Sequence, residues 1–458
     1  MRDQKQVFSG AVVIGGGFAG TEAAMRLAAK NVPVTLYEMK PGRFSPAHKS
    51  PALCELVCSN SFKAQRVASA AGLLKAEMEM LGSLTVPLAR RHAVPAGGAL
   101  AVDRDAFSAA VTAAVEDEPL ISVERREIRS IPEGGVAIVA AGPLASEALS
   151  ADITRRFGER LSFYDAAAPV ITAGSVDMTK AFVASRYEKG GDDYINCPMD
   201  RSEYEAFHEA LVAAEVAELH DFDRPGNVYE GCMPIEIMAK RGKDTIRFGP
   251  MKPVGLVDPA TGRRPWAVLQ LRRENRDGTM FNLVGFQTNL KFSEQKRVFS
   301  LIPALHSAEF VRFGVMHRNS FLRSPGLLSP AFNVLNDPSL FFAGQITGVE
   351  GYMESAASGI LAGINAARTL TGEAPLILPP DTMLGALSRY IADTSVHDFQ
   401  PMGAAMGLLP PLSERVRDKK LRYRMLAERA LRSLQNALAE AGVEPAVTAE
   451  ELLLREGS

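Results

Sequence analysis

The sequence predicts an α/β fold: a Rossmann-like dinucleotide-binding domain carrying an inserted α+β domain. Three observations predict it. Ala11-Val12-Val13-Ile14 runs into Gly15-Gly16-Gly17-Phe18-Ala19-Gly20, a small-residue helical stretch follows, and Val34-Thr35-Leu36-Tyr37 closes on Glu38. This is strand, glycine turn, helix, strand and acidic residue, the order of a dinucleotide-binding βαβ unit. A second strand-loop-helix pattern, Ser339 to Arg368, returns late in the chain. Between the two, from about Lys180 to residue 320, Tyr, Asn, Pro and charged residues replace an alanine-rich texture.

The glycine loop carries the first functional expectation. Gly15 suits the tight turn off the strand, Gly17 lets the backbone approach a pyrophosphate, and Gly20 lets the helix lie close to the sheet. Gly16, Phe18 and Ala19 complete the turn, and the helix N-terminus offers amides and positive dipole to phosphates. Glu38, 18 residues after Gly20, is placed to accept from a ribose hydroxyl.

The first helix is expected over 21–30. Residues 40–62 read as a Pro/Ser-rich excursion holding Cys54 and Cys58, and helical patterns follow near 66–82 and 104–117. Val136 to Pro143 reads as a buried strand that breaks at Gly142-Pro143 and returns the chain to the nucleotide-binding sheet. Leu340 to Gly344 is an apolar strand, and the loop with Gln345 and Gly348 leads to a helix over Ser355–Arg368. Gly359 and Gly363, one turn apart, suit a helix pressed on a backbone or a flat ligand. In two-part flavoproteins such a late unit closes over the isoalloxazine ring, which makes Gly344, Gln345 and Gly348 candidate cofactor residues. Near the C-terminus Ala427, Leu431, Leu434 and Leu438 share one helix face and read as core. The expected division is 1–180 and 321–458 for the two parts of the FAD-binding domain, with 181–320 inserted.

With 458 residues, 47% of them hydrophobic, the chain can bury a large core in two or three domains. Four cysteines (Cys54, Cys58, Cys197, Cys232) in that length argue against a disulfide framework. The polar start has no apolar signal core and no run of 18 apolar residues occurs, so a cytoplasmic protein without a membrane span is expected. The overall charge is nearly balanced, with 51 Lys+Arg against 53 Asp+Glu. From Ile235 to Pro325, however, 16 basic residues face 7 acidic ones, a local net of +9. Arg415, Lys419 and Arg422 add a second basic stretch at helical spacing. Clustering of this kind permits a phosphate-rich partner, although charge runs are most often solvated faces.

No second Cys/His pair completes a four-ligand zinc site around Cys54 and Cys58, so no metal is expected. Cys232 stands in a Gly- and Pro-bounded turn, Tyr229-Glu230-Gly231-Cys232-Met233-Pro234, and Cys58 in the polar turn Val57-Cys58-Ser59-Asn60-Ser61. With these motifs stand Asn196-Cys197-Pro198-Met199, Arg247-Phe248-Gly249-Pro250-Met251-Lys252-Pro253-Val254-Gly255-Leu256, Gly314-Val315-Met316-His317-Arg318-Asn319 and Gly344-Gln345-Ile346-Thr347-Gly348-Val349-Glu350-Gly351-Tyr352. Together they resemble, nearly end to end, the folate- and FAD-dependent tRNA (uracil-5-)-methyltransferase family (TrmFO).

The resemblance implies transfer of a methylene carbon from 5,10-methylenetetrahydrofolate to C5 of a uridine in tRNA, that of the T-loop. FAD supplies the electrons and NADH or NADPH reduces the flavin. It also implies Cys58 and Cys232 as the two functional cysteines, with no role for Cys54 or Cys197. The chemistry agrees, since uracil C5 becomes nucleophilic when a thiolate adds to C6. Cys232 is the candidate for that addition and Cys58 for proton removal or for holding the carbon carrier. His317 and Arg318 suit a folate carboxylate or an RNA phosphate, or simply a structural pair. Three other readings stay open: the same chemistry on ribosomal RNA, a thiol oxidoreductase using Cys54 and Cys58, and an RNA-binding flavoprotein without turnover. The related wobble-uridine flavoproteins share the cofactor fold, but the chain is short for them.

Overall fold

The computed structural model describes residues 10–158, 160–166, 168–188, 191–217, 233–396 and 399–457, with backbone alone at 160–166, 188, 316–319 and 456–457. Its first sheet has six strands in the order Asn333–Val334, Asp337–Phe342, Ala137–Val139, Ala11–Ile14, Val34–Tyr37 and Ile121–Glu124. All neighbours run parallel except the short edge pair at 333–342. Ala11–Ile14 lies in the middle and is buried along its whole length, which is why it reads as an unbroken apolar run rather than an alternating one.

The helix that follows spans Phe18–Ala28, so it starts three residues before the expected position. Gly17, at φ −80°, takes the N-cap, and the glycine loop turns straight into the helix. Against it packs the long helix Tyr352–Thr371. A Cβ on Gly359 would stand 2.1 Å from the Ala19 carbonyl oxygen, and one on Gly363 would stand 2.7 Å from that of Ala23. The glycine pair is therefore the contact surface of two close helices, and no flat ligand is needed to explain it. Helices Ala70–Met80 and Arg104–Glu116 fall where the alanine-rich patterns placed them. Lys419–Glu440 buries Ala427, Leu431, Leu434 and Leu438 as expected.

The second sheet is antiparallel throughout, in the order Phe182–Val183, Tyr194–Met199, Ala267–Arg273, Met280–Leu283, Val170–Thr172 and Phe310–Arg312. It has its own core, with Cys197, Leu269, Leu271, Phe286 and Phe299 fully buried. The helix Arg201–Ala213 covers it and begins at a capping box, the Asp200 carboxylate accepting from the Glu203 amide while Glu203 accepts from that of Asp200. The chain enters and leaves this region through one two-stranded ribbon, Arg160–Ala166 paired antiparallel with Met316–Leu322.

Candidate active site

Close packing of the two glycine- and alanine-faced helices brings their N-termini side by side, with the rings of Phe18 and Tyr352 4.8 Å apart. Gly17 and Gly351 occupy the N-caps, and neither helix has a side-chain cap. First-turn amides lack intrahelical partners, and each helix start carries partial positive charge, so the pair forms an end suited to anions.

Both helix starts line a cleft of about 400 Å³. Of the residues expected to hold a cofactor, Gly15, Gly16, Gly17, Phe18, Ala19, Glu38, Gly142, Gly344 and Gln345 are on its wall. A Cβ on Gly17 would meet nothing within 4 Å, so the backbone there opens directly onto the cleft. Gly15 has φ +108° and sits against the Ala140 carbonyl, which leaves no room for a side chain. Gly20 and Gly348 do not line the cleft. A Cβ on Gly20 would overlap the Gly15 carbonyl, and one on Gly348, at φ +91°, would overlap the Phe399 ring. Both shape the wall from behind.

Glu38 braces the loop it was expected only to face. One carboxylate oxygen accepts the Gly16 amide at 2.9 Å and the other accepts the Lys40 amide at 2.9 Å. Lone pairs remain on both oxygens for a hydroxyl. The cleft therefore fits a dinucleotide on three grounds: open backbone at Gly17, uncapped helix starts, and a fixed acidic acceptor one strand over.

Cys58 is on the same wall, half-buried. Its amide and that of Val57 donate to the Tyr352 hydroxyl oxygen at 2.9 and 2.8 Å, and its sulfur lies 3.2 Å from that oxygen. The segment around it is clamped by arginines. Arg104 donates to the Leu56 carbonyl at 2.6 Å and pairs with Glu274 at 2.5 Å. Arg272 reaches the Asn60 carboxamide oxygen and the Ser59 hydroxyl at 3.1 and 3.0 Å. The Asn60 amide group in turn donates to the carbonyls of Val102 and Arg273, tying the Cys58 turn to the second sheet.

The other cysteines differ. Cys54 is buried, its sulfur 3.1 Å from the Thr21 hydroxyl, and burial pushes its thiol up to about 12. A thiol held that way is a poor partner for a Cys54–Cys58 redox couple. Cys197 is enclosed in the second core, where burial raises its pKa further. Cys232 lies outside the described residues, as do the side chains of His317 and Arg318.

Sequence reasoning missed Tyr352, Arg104, Arg272 and Glu274. Tyr352 closes one of the motifs, which was a usable signal; Arg104, Arg272 and Glu274 stand outside them. Among the described residues no cluster of three or more His, Cys, Asp or Glu could hold a metal ion, and no helix is long and apolar enough to cross a membrane.

Residues 10–374 match the family described as glucose inhibited division protein A, GIDA. Solved structures of Aquifex aeolicus GidA in two crystal forms superpose with TM-scores of 0.69 and 0.66 at 17% identity. They cover 98% and 97% of this chain but 78% and 75% of that one, a likeness of fold. Much nearer in sequence are proteins named methylenetetrahydrofolate–tRNA-(uracil-5-)-methyltransferase TrmFO. That of Heliobacterium modesticaldum is 57% identical over 93% of this chain and 98% of its own length. That of Lactiplantibacillus plantarum is 54% identical over 92% and 96%, and that of Geobacter sulfurreducens 55% over 94% and 99%. With a Rossmann-like sheet, an antiparallel insert and full-length identity above one half, the chain belongs to the TrmFO family of folate-dependent tRNA (uracil-5-)-methyltransferases, within the wider GIDA fold.

Proposed function

We propose that the chain methylates C5 of a uridine in tRNA, that of the T-loop, taking the carbon from 5,10-methylenetetrahydrofolate. The observation that carries this reading is Cys58 standing on the wall of the cleft that Gly17 and the two helix starts line, in a chain with TrmFO relatives over almost its whole length. FAD held in that cleft supplies the electrons that turn the transferred methylene into a methyl group, with NADH or NADPH as their source.

The protein's own residues do the rest. Gly17 and the uncapped helix starts take the pyrophosphate, and Glu38 takes a ribose hydroxyl. Cys232 adds as thiolate to uracil C6, placing an electron pair on C5, which bonds to the folate-derived carbon. Cys58 accepts the C5 proton, and the pair released expels the carrier from the transferred carbon, leaving an exocyclic methylene; the two-electron reduction that bound FAD would supply turns it into methyl as the C5–C6 double bond re-forms and Cys232 leaves. The hydrogen bonds from Arg104 and Arg272 hold the turn on which Cys58 stands.

RNA carrying 5-fluorouridine at the target tests the assignment, because fluorine does not leave C5 as a cation where a proton would. Wild type should form a covalent adduct. Cys232→Ala should lose both adduct and methylation while keeping FAD, and Cys58→Ala should lose methylation. Persistence of methylation in Cys232→Ala would overturn the nucleophile.

A further inference from the structure

The hydrogen bonds around Tyr352 have a direction. A phenol oxygen carries one proton and two lone pairs. Here the Val57 and Cys58 amides, at 2.8 and 2.9 Å, occupy the acceptor side. Among the described residues, the partner left for the phenol proton is the Cys58 sulfur at 3.2 Å. The ring cannot swing away easily, since Phe18 and Phe62 pack on it with centroids 4.8 and 5.9 Å distant. Burial, reinforced by the charge that Cys58 can carry, holds the phenol well above its ordinary pKa, so the hydroxyl keeps its proton across the neutral range.

The surrounding charges act in the same sense. Arg104, Arg272 and Arg312 all lie within electrostatic reach of Cys58, and Glu274, paired with Arg104, is the acid that opposes them. Arg312 has Nε and Nη2 buried without a hydrogen-bond partner among the described residues, and Glu274 lies within electrostatic reach of it as well. Opposite charge and a donated hydrogen bond both favour the thiolate over the thiol.

We propose that Tyr352 is a positioning residue, its hydroxyl donating to the Cys58 sulfur to hold it as thiolate while its oxygen pins the Val57–Cys58 amides so that the sulfur faces the cleft. The idea rests on the reading of Cys58 as a reacting thiol, but its test needs no turnover. The holoenzyme is alkylated with iodoacetamide across a pH series, and the extent of reaction at Cys58 is read by peptide mass. Wild type should show an inflection below the ordinary thiol value of about 8.5. Tyr352→Phe should raise it by about one unit, which is roughly a tenfold slower alkylation at neutral pH.

Because phenylalanine also strips two amides of their acceptor and can shift the turn, 3-fluorotyrosine at position 352 serves as the second variant. It keeps the oxygen and is a stronger donor, so it should lower the inflection. An ordinary inflection in wild type, or the same inflection in all three proteins, would overturn the proposal. Methylation surviving in Cys58→Ala would instead remove the role given to Cys58 in the reaction and leave these inflections unaffected.

Discussion

Gly17 is a residue whose side chain would have somewhere to go, and that makes it informative. Its φ of −80° is ordinary, and a Cβ there meets no protein atom within 4 Å. Gly17→Val should therefore fold normally, judged by circular dichroism, while flavin affinity falls more than about tenfold, because the valine fills the space in front of the helix start. A flavin-replete Gly17→Val protein would show that the pyrophosphate sits elsewhere. At this scale the sequence is legible where the chemistry is local: the glycine loop and Glu38 are separated by a fixed strand and helix, so their spacing alone places them. It marks Tyr352 as the end of a motif but does not pair it with Cys58, because the two are 294 residues apart and only the packed helices bring them to 3.2 Å. Gly348 misleads for a related reason. A glycine in a loop looks the same whether a ligand or a phenylalanine ring comes close, and here it is Phe399.

Among the elements, the pair Phe18–Ala28 and Tyr352–Thr371 sets the geometry of the cleft, since their separation fixes how near the two N-termini stand. Gly359→Ala should force the helices apart at the Ala19 carbonyl. The expected loss is about 2–3 kcal/mol of stability, seen as a fall of several degrees in Tm, with weakened flavin retention alongside. Gly98→Ala, at an exposed position where a Cβ meets nothing, should change neither and serves as the control. Periodicity locates these helices well, because small and apolar residues repeat along their buried faces. Boundaries are less legible. The first helix begins at Phe18 because Gly17 caps it, and a glycine triplet does not announce which of its members ends the turn. Nor do Gly359 and Gly363 reveal whether they face protein or ligand, a question that only the position of Ala19 and Ala23 settles.

For the molecule as a whole, the basic start of Lys419–Glu440 lines a recess with Arg66 and Ser69, just ahead of the helix whose Ala71 and Leu74 line the cleft. Replacing Lys419, Lys420 and Arg422 with Ala should weaken tRNA binding without altering the flavin spectrum. The salt dependence should flatten by about one unit of slope for each phosphate that the helix no longer neutralises. An unchanged salt slope would take this helix out of the RNA interface. The second sheet already includes Val170–Thr172, so the inserted part lies between the ribbon strands, at 167–315 and not at the expected 181–320. We also propose that this part serves the reaction by holding the Cys58 turn through the contacts of Arg272 and Arg273 with Asn60. The ribbon through which the chain enters and leaves that part has a topological consequence. Ala166 pairs directly with Met316, so the two ends of everything between them stand about 5 Å apart. Replacing 167–315 by an Asn-Gly turn would convert the ribbon into an ordinary hairpin. The shortened chain should fold, bind flavin and fail to methylate. In covalent terms the second sheet is then an insertion at the tip of one hairpin, and the flavin-binding part runs on beneath it as a chain that needs nothing from 167–315 to stay connected.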